Sequence, residues 1–299
     1  MVTSDQSGTS SPSGRRWGVG AEGYQRPSLP RQATSAGSRA GQHRNAAAAE
    51  RREQLALTGI TWDLSEVDLN LIGGGPGEFE RARHRFRERK PDFIWDAARL
   101  EGNTFTLPEV RTLLEGVTVE GKRLEDQDQI LALNEGFNDI DLLIGVGKFS
   151  LSKPVSDRIH AKVAVHEAIE AGNFRGEGSV NGGGDVILST GGVIAGREHG
   201  EGGSLLIAAY ADLLDYLIGE TDPRVRALVY AAAVIRHQLY FDANKRTAKL
   251  MASGELMMHG YDAISIPYTR LYEQNVALDE LFQTDDATSL MRLMADCAR

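Results

Sequence analysis

Apolar residues first recur at helical spacing in residues 92–103 (DFIWDAARLEGN), a run that stops at Gly102 and Asn103. Thr106 and Glu109 of TLPE then have the spacing of a capping box, predicting a second helix through VRTLLEG. A third is expected over 124–144, where Ile130, Leu133, Phe137, Ile140 and Ile144 share one stripe. Residues 156–171 read as helical. The glycine-rich stretch 172–203 breaks the pattern, and its only strand-like core is DVILST, so an irregular hairpin or flap is expected there. Helices resume at 204–219 and at 223–240, the latter with Asp222 as N-cap and Pro223 in its first position. Another covers 246–258, ending near Gly260, and one or two occupy 268–296. The expected fold class is mainly α, one domain over 56–299 with a small β feature.

Residues 1–55 carry few aliphatic side chains and are expected to form a disordered tail, because they cannot bury enough apolar surface to offset ordering entropy. The tail has eight Arg against four acidic residues through Glu53, leaving about −13 of the chain's net −9 to the remainder. Nucleic acid is therefore not expected as a partner, apart from a weak contact through this scattered basic arm. One cysteine, Cys297, excludes a disulfide framework and a multi-thiolate metal site, which fits a reducing, cytoplasmic setting. No run approaches 18 uninterrupted apolar residues, and no membrane partner is expected. Composition leaves the oligomeric state open.

Candidate chemistry concentrates in residues 236–250, RHQLYFDANKRTAKL. A short link between two helices leaves free backbone N–H groups at the start of the second, where the positive end of the helix dipole favours an anion. Lys245 and Arg246 add charge, Lys249 follows one turn later, and Asp242 could hold Mg2+ against a phosphate. Spacing alone also fits an ordinary interhelical loop.

Asp242, Ala243, Asn244 and Arg246 resemble the Fic/Doc (Fido) family signature, His-Pro-Phe-x-(Asp/Glu)-Gly-Asn-Gly-Arg-x-x-Arg, with Lys245 where most members have Gly. The Asn-Lys-Arg-Thr form is closer to the Doc toxins, which transfer a γ-phosphoryl group. Residues 97–116, AARLEGNTFTLPEVRTLLEG, are similar to the inhibitory helix of self-inhibited members, placed here at about 92–102. The resemblance covers roughly residues 90–290. It implies a Fido-type helical bundle with a β-hairpin flap, ATP and Mg2+ as cofactors, and AMP transfer to a hydroxyl of a target protein. Asp242, Ala243, Asn244, Lys245, Arg246 and Lys249 would bind nucleotide, Asp242 holding the metal, while Glu101 would restrain the site by pairing with Lys249. The target would add a strand to the flap at about 177–203. Phe174–Arg175 matches an aromatic-Arg pair upstream of the flap, and His160 and His166 are read as structural.

The motif histidine stands four residues before the Asp, a position held here by Gln238, with His237 five before. One residue on a helix is about 100° of rotation. Either Gln238 faces the nucleotide, and an amide cannot serve as a base, or a longer loop brings His237 to the catalytic position. A degenerate nucleotide-binding regulator and a Doc-like phosphotransferase are the alternatives to adenylyl transfer. HEAIE at 166–170 lacks the second His of a zincin, GVGKFS lacks parts of a phosphate loop, and GGGPGE reads as a linker.

Overall fold

The computed structural model describes residues 33–298, so the part of the expected tail before Ala33 lies outside the described residues. The chain divides into two units at Ala46/Ala47, and the second contains the site. Its elements are α1 (Ala33–Thr58, which begins in the first unit), α2 (Phe79–Glu88), α3 (Lys90–Arg99), α4 (Leu107–Leu114), α5 (Leu124–Gly145), α6 (Lys153–Val163), β1 (Val186–Ile187), β2 (Val193–Ile194), α7 (Ser204–Gly219), α8 (Pro223–His237), α9 (Asn244–Met258), α10 (Leu271–Thr284) and α11 (Thr288–Asp296). The mainly α class with one small hairpin is what the patterning predicts.

Several boundaries differ from the sequence reading. Residues 33–55 are helical, not tail: the alanine run at 46–49 has strong helix propensity, and Gln54 and Thr58 are buried. Helix α2, absent from the expectation, uses a narrow face of Ala82 and Phe86 beneath a strongly cationic surface. The helix expected at 156–171 starts at Lys153 and ends at Val163, followed by turns through a left-handed Glu170 and Gly172. The helix expected at 223–240 ends at His237, three residues early, because Gln238 turns left-handed.

The capping box at Thr106 forms, with Glu109 Oε2 accepting from the Thr106 backbone N–H at 2.7 Å. Asp222 caps α8, accepting from Arg224 N at 2.9 Å. The predicted stripe of α5 is buried in full.

Helices α8 and α9 form the centre. From Ala227 to Ile235 every residue of α8 is buried, as is every residue of α9 from Arg246 to Met257. From Ala227 to Ile235 α8 is apolar all round, as an enclosed helix is expected to be, and its Ala231–Ala233 run lets neighbours approach closely, whereas α9 buries the polar Arg246, Thr247, Lys249, Ser253 and Glu255. Around this pair, α5 and α6 pack on α9, α7 on α8, and α3 against α4 and α5. The stretch Glu201–Gly219 is long and apolar enough to cross a membrane by composition, and here it buries Leu206, Tyr210, Leu213 and Leu217 against protein.

Candidate functional site

The link between α8 and α9 contains two non-glycine residues with positive φ. Gln238 has φ 50° and ψ 58°, and Ala243 has φ 55° and ψ 15°. Such conformations are uncommon outside glycine and need support from their surroundings. Asn244 supplies part of it from the first turn of α9: its Oδ1 accepts from Tyr240 N at 2.9 Å, and its Nδ2 donates to Tyr240 O at 2.8 Å and to Gln238 Oε1 at 3.2 Å. His160 supplies the rest. Its Nδ1 accepts from Gly172 N at 2.9 Å, so Nε2 carries the proton and donates to Asp242 O at 3.0 Å. The ring stacks on Tyr240 at 3.7 Å, and burial pushes its pKa down to about 4, keeping it neutral.

This loop floors a cavity of about 460 Å3 lined by Glu101, Gln238, Phe241, Asp242, Ala243, Asn244 and Lys245. That volume lies within the roughly 300–1,000 Å3 of small-molecule sites. The flap forms one wall with Val186 and Ile187, and α10 forms another with Asn275, Leu278, Asp279 and Phe282. In the flap, Val186 pairs with Ile194 and Ile187 with Val193. Its tip is strapped to α10, because Ser189 N and Oγ donate to the two Asp279 oxygens at 3.0 and 2.5 Å.

Gln238 lines the cavity and His237 does not. His237 is 3% exposed and donates Nε2 to Thr58 O at 3.0 Å. A Cβ on Gly59 would stand 2.7 Å from its ring, so the end of α1 packs directly on it. Burial, then the charge of Arg197, pushes its pKa down to about 4. Of the two residues, the cavity wall holds Gln238.

The cations also differ from expectation. Glu101 pairs with Lys245, Nζ to Oε2 at 3.0 Å, instead of with Lys249. Lys249 is buried and donates to Gln274 Oε1 at 3.2 Å. Lys245 is partly exposed at the cavity rim, whereas Lys249, one turn further along the same helix, is buried against Gln274 of α10. Burial works against the charged form of Glu101, yet Lys245, Arg246 and Lys249 together outweigh it and hold its carboxyl below the usual range. Its Oε1 has no hydrogen-bond partner among the described residues.

Arg246 is 4% exposed and is ion-paired with Glu167, with its other terminal nitrogen 3.5 Å from Asp242 Oδ1. Glu167 in turn accepts from Gln129 Nε2 at 2.7 Å, and Gln129 Oε1 accepts from Asn103 Nδ2 at 2.9 Å. The segment carrying Glu101 is thus joined to Arg246 by a second, polar route that sequence spacing did not reveal. Asp242 is exposed on the cavity, with Oδ1 accepting from Ala243 N. Among the described residues no three His, Cys, Asp or Glu side chains are grouped to hold a metal. The Asp242 carboxylate is a donor of the kind that suits Mg2+, which is usually held by one or two carboxylates together with phosphates and waters.

No protein-family model matches the chain. Curated proteins named Protein adenylyltransferase Fic do. The one from Drosophila willistoni is 26% identical over 241 residues, covering 79% of this chain and 45% of that protein. The Drosophila yakuba protein is 26% identical over 235 residues, covering 77% and 44%. The chain is similar to these Fic proteins over more than three quarters of its length. It spans under half the length of these curated relatives. Solved structures share the fold. Fic-1 from C. elegans superposes with a TM-score of 0.58 at 17% identity, over 90% of this chain and 75% of that one. A Fic-domain-containing signalling protein from Bacteroides thetaiotaomicron gives 0.60 at 20% identity, over 84% and 92%.

Proposed function

We propose that this Fido domain binds ATP in the cavity over the α8–α9 loop and transfers AMP to a hydroxyl of a target protein, slowly, because Gln238 occupies the position of the motif base. The observation carrying this is the left-handed Ala243 leading into α9, which presents free backbone N–H groups and the positive helix end beside Lys245 and Arg246. Those groups suit the phosphates. The apolar slot between Val186, Ile187, Leu278 and Phe282 suits a nucleobase. Asp242 would hold Mg2+, which supplies neutralisation of phosphate charge. The names of the relatives support adenylyl transfer as the reaction class.

A positioned base contributes roughly 10²–10⁴ to such a rate, and Gln238 supplies none of it. The target hydroxyl then loses its proton to solvent. Glu101, drawn onto Lys245, adds negative charge beside the phosphate site and supports a reading of self-restraint. The target would add a strand to the flap, whose Ile187 and Val193 are exposed.

Gln238 also supports a second reading, a nucleotide-binding regulator without transfer activity. Incubating the chain with ATP labelled at the α- or the γ-phosphate separates the cases. Weak labelling of protein from α-label supports adenylyl transfer, and labelling from γ-label alone would point to phosphoryl transfer. Binding with no label in either arm supports the regulator. Absence of ATP binding sinks all three.

A further inference from the structure

We propose that Arg175 is a positioning residue that fastens the flap to Gln238, so that the flap and the nucleotide cavity move together. This rests on the nucleotide-site reading above. The guanidinium is 1% exposed and spreads its donors over three chain segments. Nε donates to Gln238 O at 2.6 Å, Nη1 to Gly183 O at 2.6 Å, and Nη2 to Arg197 O at 2.9 Å. Its own backbone N–H donates to Leu239 O at 2.8 Å. One residue therefore grips both sides of the peptide at the end of α8 and both legs of the flap.

Two features argue for a geometric role over simple stabilisation. First, the hydrogen-bond partners are carbonyls; burial pushes the pKa of the guanidinium down, and the charge of Asp185 of the flap opposes this. A buried charge without a bonded counter-ion is a poor way to gain stability, since an apolar side chain of similar size often serves as well or better. A planar fork is, however, the one side chain able to bridge three directions at once. Second, the flap is shaped around it. Gly184 has φ 86°, and a Cβ there would lie 2.4 Å from Arg175 Cζ. The carbonyl of Gln238, turned out of the helix by the left-handed conformation, is received by Nε. Arg175 thus holds from behind the residue whose amide lines the cavity. A strand bound to the flap and a nucleotide bound over Gln238 must then affect each other, reciprocally.

The test compares the full chain with Arg175→Met and Arg175→Lys, reading hydrogen exchange over residues 183–197 and over the α8 core at 227–235, with and without ATP and Mg2+. Arg175→Met is expected to speed flap exchange about tenfold without nucleotide, leave the α8 core protected, and raise the Kd for ATP about tenfold. ATP would no longer slow the flap. Arg175→Lys, which can bridge fewer carbonyls, is expected to recover part of each effect. Unchanged flap exchange in Arg175→Met overturns the proposal, as does loss of protection in flap and α8 together, which would mark a scaffold role. If the wild-type chain fails to bind ATP, the nucleotide-site reading falls, and the comparison without ATP still decides the bridge.

Discussion

Glu101, at the end of α3, and Lys245, in the first turn of α9, meet at 3.0 Å on the edge of the cavity. The pair brings a segment about 140 residues upstream against the N-terminal end of α9. Because Oε1 of Glu101 has no hydrogen-bond partner among the described residues, the carboxylate is held by charge more than by geometry. Glu101→Gly is expected to tighten ATP binding by roughly three- to tenfold, an effect that shrinks at high salt. Glu101→Gln should reproduce most of it, since it removes charge and keeps shape. Calorimetric titration at two ionic strengths checks both, and an unchanged Kd in either variant would mean that Lys245 is not withheld from phosphate.

The second prediction concerns the base. Gln238→His puts an imidazole on the cavity wall, and AMP transfer is expected to rise about 10²-fold or more, with the rise following a single ionisation near pH 6–7. His237→Ala should leave transfer unchanged and lower stability by roughly 1–3 kcal/mol, because Thr58 O loses its donor and the packing under Gly59 is emptied. Transfer that falls in His237→Ala would reverse the assignment.

The third concerns acid. His160 and His237 are both buried with pKa values of about 4, below the ordinary 6.5. Between those values the unfolded chain binds protons that the folded chain refuses, so stability is complete above about pH 6.5 and falls as pH drops towards 4. Each imidazole accounts for up to roughly 3 kcal/mol of that fall. Urea denaturation at pH 7 and pH 5 should show the loss, and His160→Gln should flatten it. A wild-type chain equally stable at both values would refute the neutral assignment.

A fourth prediction has the same sign at alkaline pH. Burial lowers the Lys249 amine to about 8, from an ordinary 10.5. Between these values the unfolded chain again holds the proton more tightly, so the contribution of Lys249 to stability rises with pH from about 8 to 10.5. At pH 7 Lys249→Met is expected to be more stable than wild type by roughly 1–3 kcal/mol, with the gap narrowing by pH 9.5. Paired melts at the two pH values measure this, and a constant gap would show that the amine is not desolvated.

Local periodicity and chemistry went far by themselves. The α5 stripe, the Thr106 capping box, the Asp222 N-cap and the interruption at DVILST are all short-range features, and each forms as its spacing requires. The gathering of Glu101 and the ANKR segment at one site was legible because both carry family motifs. What sequence could not decide was direction. Whether residue 237 or 238 faces the cavity depends on where α8 stops, and that is set by Thr58, Gly59 and Arg175, residues distant in the chain. The partner of Glu101 was likewise settled by tertiary packing, which buries Lys249 against Gln274 and leaves Lys245, one turn earlier, at the rim. Hydrogen bonds from Arg175 to four carbonyls leave no trace in composition or periodicity, because backbone acceptors look alike at every position. Sequence determined most of the elements and the residues that are candidates to bind a nucleotide; the long-range packing of α1, the flap and α10 decided which of them line the cavity.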